Sequence, residues 1–372
     1  MKNVMLRIGL MVGVMIWFVS VQAQDIVLGQ SVPLTGSNAA IGRDMRDGAL
    51  AVFTKVNNSG ALGGRKIQLI TLDNANSRVQ ALENTKKLLD GDKVVALFGY
   101  NSATTSLDAL PLIAAKNMAL FAPFTGSPSA RDHPNVFTVR ASYLDESLKL
   151  AEVLKNTGSS KALVVYYDDE AGKSNVQMVM GAFDAANKPR SLGVKRNVKL
   201  AAPAFEPVFK DPPHYMLFTT QYSVVGDYMQ AAQAKALSMP VTALSFVNPD
   251  ELARSYGLVA RGAIVSQVVP APYGAMLFKN VVLRDCAKLL KDFSGAQLNY
   301  TSLEACLAAK TMVRVIQAVG PTKITRTSLL RGLANAGRID LDGFVLDYSK
   351  SRHGSQYVDI SFLSRDSMFQ SK

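Results

Sequence analysis

The chain has 372 residues, of which 48% are hydrophobic and 19% charged: enough apolar material for two domain-sized cores, and no segment with the composition of a disordered tail. The formal charge is +12, yet the basic residues are scattered and the densest run, "KSRH" at Lys350 to His353, is short. No helix-turn-helix, zinc-finger or RNP-like pattern accompanies them, which argues against nucleic-acid binding and leaves a solvated surface able to attract anions.

The amino-terminal 23 residues differ from the rest. Lys2 and Arg7 are their only charges, an apolar run follows from Ile8 to Val21, and Ala23 closes the segment. A basic start, a short apolar core and a small last residue predict a secretory signal peptide over residues 1–23, cleaved after Ala23. The competing reading, a retained anchor, needs an apolar run of about 18 to 20 residues. No cysteine follows the cut to take a lipid, and no later stretch is apolar enough to span a bilayer. The expectation is an exported, periplasmic protein.

Strands and helices then alternate. "IVLGQSV" (Ile26 to Val32) reads as a strand. A helix follows, with Met45, Ala49, Val52 and Val56 at three-to-four spacing, and "NNSGALGG" breaks it. "KIQLITL" is the next strand, a polar helix covers about Ser77 to Leu89, and "VVALFG" is a buried strand. A helix is predicted from about Thr104 to Lys116, then a strand at "MALFAPF". "KALVVYY" leads into a helix near Asn175 to Ala186, and "YMLFTT" into one near Val225 to Ala236; strands "VTALSFV" and "GAIVSQVV" follow. Three helices then succeed one another near 275–291, 302–318 and 325–335, and "GFVLDYSKSRHGSQYVDISFL" reads as two strands around a polar turn. The alternation predicts parallel sheets with right-handed crossovers, and in such sheets ligands bind beyond the carboxyl ends of the strands. "GALGGRK" lacks the spacing and the Ser/Thr of a phosphate loop and reads as a helix-to-strand turn.

Catalytic chemistry finds little support. His133, His214 and His353 are the only histidines; none lies in HExxH, and no G-x-S-x-G elbow appears. An enzyme, a metal site and a cofactor are therefore not expected. Cys286 and Cys306 are the only cysteines. Phe278, Val282, Cys286 and Leu289 fall on one helical face, and Cys306, Ala309, Val313 and Ile316 on another, so both thiols point inward. A disulfide, which export permits, and two buried free thiols both remain open.

"PLTGSNAAIGRDMRDGALAVFTKVNNSGALGGRKIQLITLDN" is similar to the amino-terminal signature of type I periplasmic solute-binding proteins of the leucine/isoleucine/valine-binding class. "FGYNSATTSLDALP", "MALFAPFTGSPSARDHPNVFTVRASYLDE", "SFVNPDELA", "GAIVSQVVP" and "SLEACLAAKTMV" continue the resemblance from Ile26 to Leu363. It implies two doubly wound α/β lobes joined by a three-stranded hinge, with ligand in the cleft between them. Lobe 1 would take residues 25–141 and 270–354, and lobe 2 residues 142–269 and 355–372. It also implies a monomeric cargo-binding subunit that closes like a clamp and serves the permease of an ATP-driven importer. An exported sensor reporting to a membrane receptor is the alternative.

The resemblance places Ile41 on one wall of the cleft, although Ile41 reads equally as a core residue of its helix. "YNSATT" puts Ser102, Ala103 and Thr104 between a strand and a helix start, where hydroxyls and free N–H groups suit a carboxylate; Ser102 also reads as a simple N-cap. Phe124, Thr125 and Gly126 align with the family's second ligand-contacting turn, Gly126 permitting close backbone approach, while Ser127, Pro128 and Ser129 read as the turn after it. Tyr222 matches a position that covers the ligand. Two features depart from the family. Ala171 stands where an aromatic residue is common, which would leave one wall small and open. Val247 or Asn248 stands where amino-acid binders carry an acid, with Asp250 and Glu251 a little further on, toward solvent. A small carboxylate or amide is accordingly expected as ligand in preference to free leucine, isoleucine or valine; the alternative is a branched-chain or other amino acid, with Asp250 or Glu251 swinging in on closure.

Overall fold

Apolar strands and amphipathic helices alternate through a computed structural model that describes residues 24–155, 161–184, 187–364 and 369–371. The expected signal peptide, residues 1–23, lies outside the described residues. Strands β1 (Ile26–Val32), β2 (Ile67–Asp73), β3 (Ala96–Phe98), β4 (Ala119–Phe121) and β5 (Val136–Phe137) form one parallel sheet in the order β2-β1-β3-β4-β5. The second sheet begins with β6 (Ala162–Tyr167), β7 (Arg190–Val194), β8 (Tyr215–Phe218), β9 (Val241–Ala243) and β10 (Ile264–Gln267). A short antiparallel ribbon, β11 (Arg338–Asp340) with β12 (Val345–Asp347), stands apart. Strands β13 (Asp359–Leu363) and β14 (Phe369–Ser371) return antiparallel to the far edge of the second sheet, giving β14-β13-β10-β9-β8-β6-β7.

Each sheet has its own aromatic core. Phe53, Phe98 and Phe121 pack in series, with ring centroids 5.7 and 6.1 Å apart. Phe205 and Phe218 contact Tyr228 at 5.3 and 5.4 Å. Burying such rings, with the aliphatic side chains around them, stabilises each side. The chain passes between the two α/β lobes three times: after β5, after β10, and between β12 and β13. The first and third passages are tied by the Thr138–His353 bridge and by Tyr348, whose hydroxyl donates to the Thr138 carbonyl at 3.1 Å.

Several elements differ from the sequence expectation, each for a local reason. The helix expected at 104–116 breaks at Asp108 into Ala103–Leu107 and Ala109–Ala115. The helix expected near 175–186 is Glu170–Met180, because the Asp169 side chain accepts from the Gly172 N–H at 2.8 Å and starts it early. The segment 275–291 is two helices, Gly274–Lys279 and Val281–Ser294, the second capped by the Asn280 side chain. Phe278 thus lies on the first piece, 74% exposed, and not on the Cys286 face. Ser245–Val247 is a 3-10 turn and not a continuation of β9. The last two expected strands exist as β12 and β13 but belong to different sheets. Cys286 and Cys306 are disulfide-bonded, linking helix Val281–Ser294 to helix Tyr300–Val319 with Cα atoms 6.0 Å apart. Among the described residues no helix is long and apolar enough to cross a membrane, and no cluster of metal-ligating side chains occurs.

Candidate functional site

Parallel strands deliver the chain to helix starts on one edge of each sheet, and the two edges face each other. Asn38 precedes helix Ala39–Ser59, Gln221 precedes Tyr222–Ala234, and Asn248 precedes Pro249–Tyr256. Asn248 holds a left-handed conformation (φ 59°), tolerated by asparagine, and its side-chain oxygen caps Glu251 N–H at 3.0 Å. These residues line a cavity of about 40 Å³ between the lobes. At about 10–15 Å³ per water, it is a small space.

Both lobes contribute walls. Pro33, Ile41, Asn101 and Phe124 come from around the first sheet, with Tyr300, Thr301 and Glu304 from helix Tyr300–Val319. Ser245, Phe246 and Pro249 come from the second. Arg140 and the Gln267–Val269 stretch enter from two of the chain passages.

Arg140 and Glu304 dominate the charge. Both are buried, and the guanidinium is bidentate on the carboxylate: Nε donates to Oε1 at 2.8 Å and Nη2 to Oε2 at 2.6 Å. Burial works against the arginine's charge, but Glu304 overcomes it and holds Arg140 above its ordinary pKa. The third nitrogen, Nη1, is buried and has no hydrogen-bond partner among the described residues. The Phe124 ring lies 5.7 Å from the guanidinium carbon. Behind this pair, Glu146 accepts from Ser245 N–H, Ser245 Oγ and Ser266 Oγ at 2.7, 2.9 and 2.5 Å. Burial still raises its pKa, with Arg140 and these donors opposing.

Hydrogen bonds clasp the lobes around the cavity. Asn38 Nδ2 donates to Gln221 Oε1 at 3.2 Å, Asn248 Nδ2 to Thr301 Oγ1 at 3.0 Å, and Tyr300 N–H to Asp250 Oδ2 at 3.2 Å. Asn76 and Asn197 meet at 3.1 Å nearer the rim.

Of the residues singled out in the sequence, Ile41, Phe124 and Asn248 line the cavity together. Ser102, Ala103 and Thr104 do not; Ser102 Oγ accepts from Thr105 N–H at 3.2 Å as an N-cap, and neighbouring Asn101 takes the wall position. Thr125 and Gly126 pack beneath it: Thr125 Oγ1 donates to the Tyr143 hydroxyl at 3.3 Å, and a Cβ on Gly126 would fall 2.5 Å from the Tyr143 ring. The close approach at Gly126 therefore serves Tyr143. Tyr222 borders an outer groove, shared with Asn38 and Gln221, and not the inner cavity.

Two expectations need correction. Ala171 leaves no open wall, because it is buried against Ala103 and Ala130, where helix Glu170–Met180 meets the first lobe. One acidic group does line the cavity, and two more are buried close to it. Glu304 lines the cavity, Glu251 is buried, and the Asp250 carboxyl is enclosed although the residue is only partly buried. Glu304 was missed because it lies in the second turn of helix Tyr300–Val319, in an apolar stretch far along the chain from the strand-end segments. The one available signal was a lone acid in "SLEACLAAKTMV".

Residues 25–360 match a family model described as "Periplasmic binding protein". A Pseudomonas aeruginosa "Amino acid binding protein" is 24% identical over 148 residues, 39% of this chain and 40% of that protein, so the chain spans under half the length of this curated relative. A solved "possible leucine/isoleucine/valine-binding protein" from Rhodopirellula baltica has a TM-score of 0.86 at 23% identity, covering 95% of this chain and 97% of that one. A substrate-binding periplasmic protein from Ralstonia solanacearum has a TM-score of 0.85 at 26% identity, covering 94% and 100%.

Proposed function

The chain belongs to the periplasmic binding protein family, in its leucine/isoleucine/valine-binding class, whose members are not enzymes, and from that premise we propose an exported solute-capture protein. It takes a small solute into the cleft between its lobes, closes over it, and delivers it to the permease of an ATP-driven importer. The signal peptide, the periplasmic location, the lobe boundaries and a monomeric state are parts of the same proposal.

One observation carries it. The cavity is walled from both lobes, and its rim residues bond across the gap, Asn38 to Gln221 and Asn248 to Thr301. A solute seated there touches both lobes only when they are together, so its binding favours the closed arrangement by its differential affinity. The amino acid named for the Pseudomonas relative brings amino acids into the candidate set, alongside small carboxylates and amides.

The test is to recover the mature protein from the export compartment, identify any co-purified small molecule, strip it by unfolding and refolding, and add it back. A ligand at 100 times its dissociation constant should stabilise the fold by about 2.7 kcal/mol and compact the protein in solution scattering. Unchanged melting and scattering against a broad panel of solutes of every charge would sink the proposal.

A further inference from the structure

We infer that the cleft selects an anionic, amine-free carboxylate, anchored by the Nη1 group of Arg140. The inference rests on the solute-capture function above and names the class of solute.

Three features point to the sign of the ligand. First, Arg140 spends two of its three nitrogens on Glu304, leaving Nη1 buried and without a partner among the described residues, in a side chain that lines the cavity. A buried charged donor without an acceptor is costly, and a carboxylate oxygen is its best complement. Second, Asn38 and Gln221 bring two long helix starts to the same space, Ala39–Ser59 and Tyr222–Ala234. Neither start has a side-chain cap or an acidic residue in its first turn. Each carries roughly half a positive charge. The other two helices that begin here are answered already: Asp250 accepts from Tyr300 N–H, and the Asn248 side chain caps its own helix.

Third, an ammonium group has little to meet. Among the described residues Glu304 is the only carboxylate lining the cavity, and both of its oxygens accept from Arg140. The Arg140–Glu304 pair is neutral as a unit. Adding a carboxylate leaves one net negative charge, which the two uncapped helix starts offset. Adding a cation finds no such compensation. Glu304 thus positions Arg140, fixing the plane of a guanidinium whose third nitrogen is left for the ligand, and is not the partner of a ligand amine.

The test uses the ligand-stripped mature chain and two skeleton-matched sets: 4-methylpentanoate, its primary amide and leucine; and phenylacetate, phenylacetamide and phenylglycine. Calorimetry should show a carboxylate binding at least about tenfold tighter than both its amide and its amino acid. Glu304→Gln keeps an acceptor for Arg140 but removes the opposing charge, so carboxylate affinity should rise. The double variant Arg140→Met with Glu304→Met replaces the pair by apolar groups of similar length, a change that often preserves stability. It should lose about 100-fold in carboxylate affinity while its melting temperature is kept. Tightest binding by an amino acid, or weaker carboxylate binding in Glu304→Gln, overturns the inference and leaves solute capture standing. A protein that binds no carboxylate but responds to neutral or zwitterionic solutes does the same. Silence toward both sets and toward the broad solute panel removes the solute-capture function itself.

Discussion

The hydroxyl of Tyr222, at the start of a second-lobe helix, donates to the carbonyl of Ser37 in the first lobe at 3.0 Å. The bond joins groups 185 positions apart in the chain and closes the outer groove above the cavity. It exists only while the lobes are together. Tyr222→Phe should therefore weaken ligand binding by the net worth of one hydrogen bond, about 0.5–1.5 kcal/mol, or roughly 2- to 13-fold. The unliganded melting temperature should move little. Calorimetry paired with thermal melting checks this, and unaltered affinity would show that the bond is not a latch.

Gly126 lies against Tyr143: a methyl group on its Cα would fall 2.5 Å from a ring carbon and 2.7 Å from the Tyr143 backbone nitrogen. Backbone cannot step aside as a side-chain tip can. Gly126→Ala should destabilise the protein by about 1–3 kcal/mol through overpacking. Chemical denaturation measures it, and a stability equal to the parent's would show that the segment relaxes freely.

The Cys286–Cys306 bridge closes a loop of sequence separation 20 between two packed helices. Loop-closure entropy puts its contribution at about 3 kcal/mol. Thiol titration of the denatured, unreduced protein should find no free thiol. The double variant Cys286→Ala with Cys306→Ala should lower the denaturation midpoint, and reductant should then have no further effect.

Asp250 gives the stability a pH dependence. Burial is the main cause that pushes its carboxyl up to about 7, with Asp44 adding and the Tyr300 N–H and Arg254 opposing. Because the folded, closed value lies above the unfolded one, the neutral form is favoured on closure. The contribution is fully present below about pH 4, where the unfolded carboxyl is also protonated, and is lost as pH rises through about 7. Its size is on the order of 2 kcal/mol, discounted because the residue is partly open to water. Asp73, Asp108 and Asp169 are held low by their partners and act in the opposite direction. The diagnostic is therefore the difference between the parent and Asp250→Asn. Between pH 4 and 7 the parent should lose stability relative to the variant, and parallel curves would remove Asp250 as the titrating group.

The alternation of strand and helix was legible because it is written in local periodicity. β1 runs over the seven residues read as a strand, and Gly60, at φ 69°, ends the first long helix where "NNSGALGG" interrupts the pattern. Misplaced boundaries were side-chain decisions: Asp169 and Asn280 start helices by accepting backbone N–H groups, and nothing in the apolar period records that.

Cleft chemistry divides in the same way. Ile41, Phe124 and Asn248 could be named from sequence because the family resemblance pointed to them, in segments that follow strands, where the fold class puts ligands. Arg140 and Glu304 could not. They are 164 positions apart, one on a passage between lobes and one in the second turn of a long helix, and each looks ordinary alone. Sequence by itself determined which segments become strands and helices, since those depend on neighbours a few residues away. Only the tertiary structure decided which charges face each other between the lobes, because burial and pairing are set by groups the chain brings together from far apart.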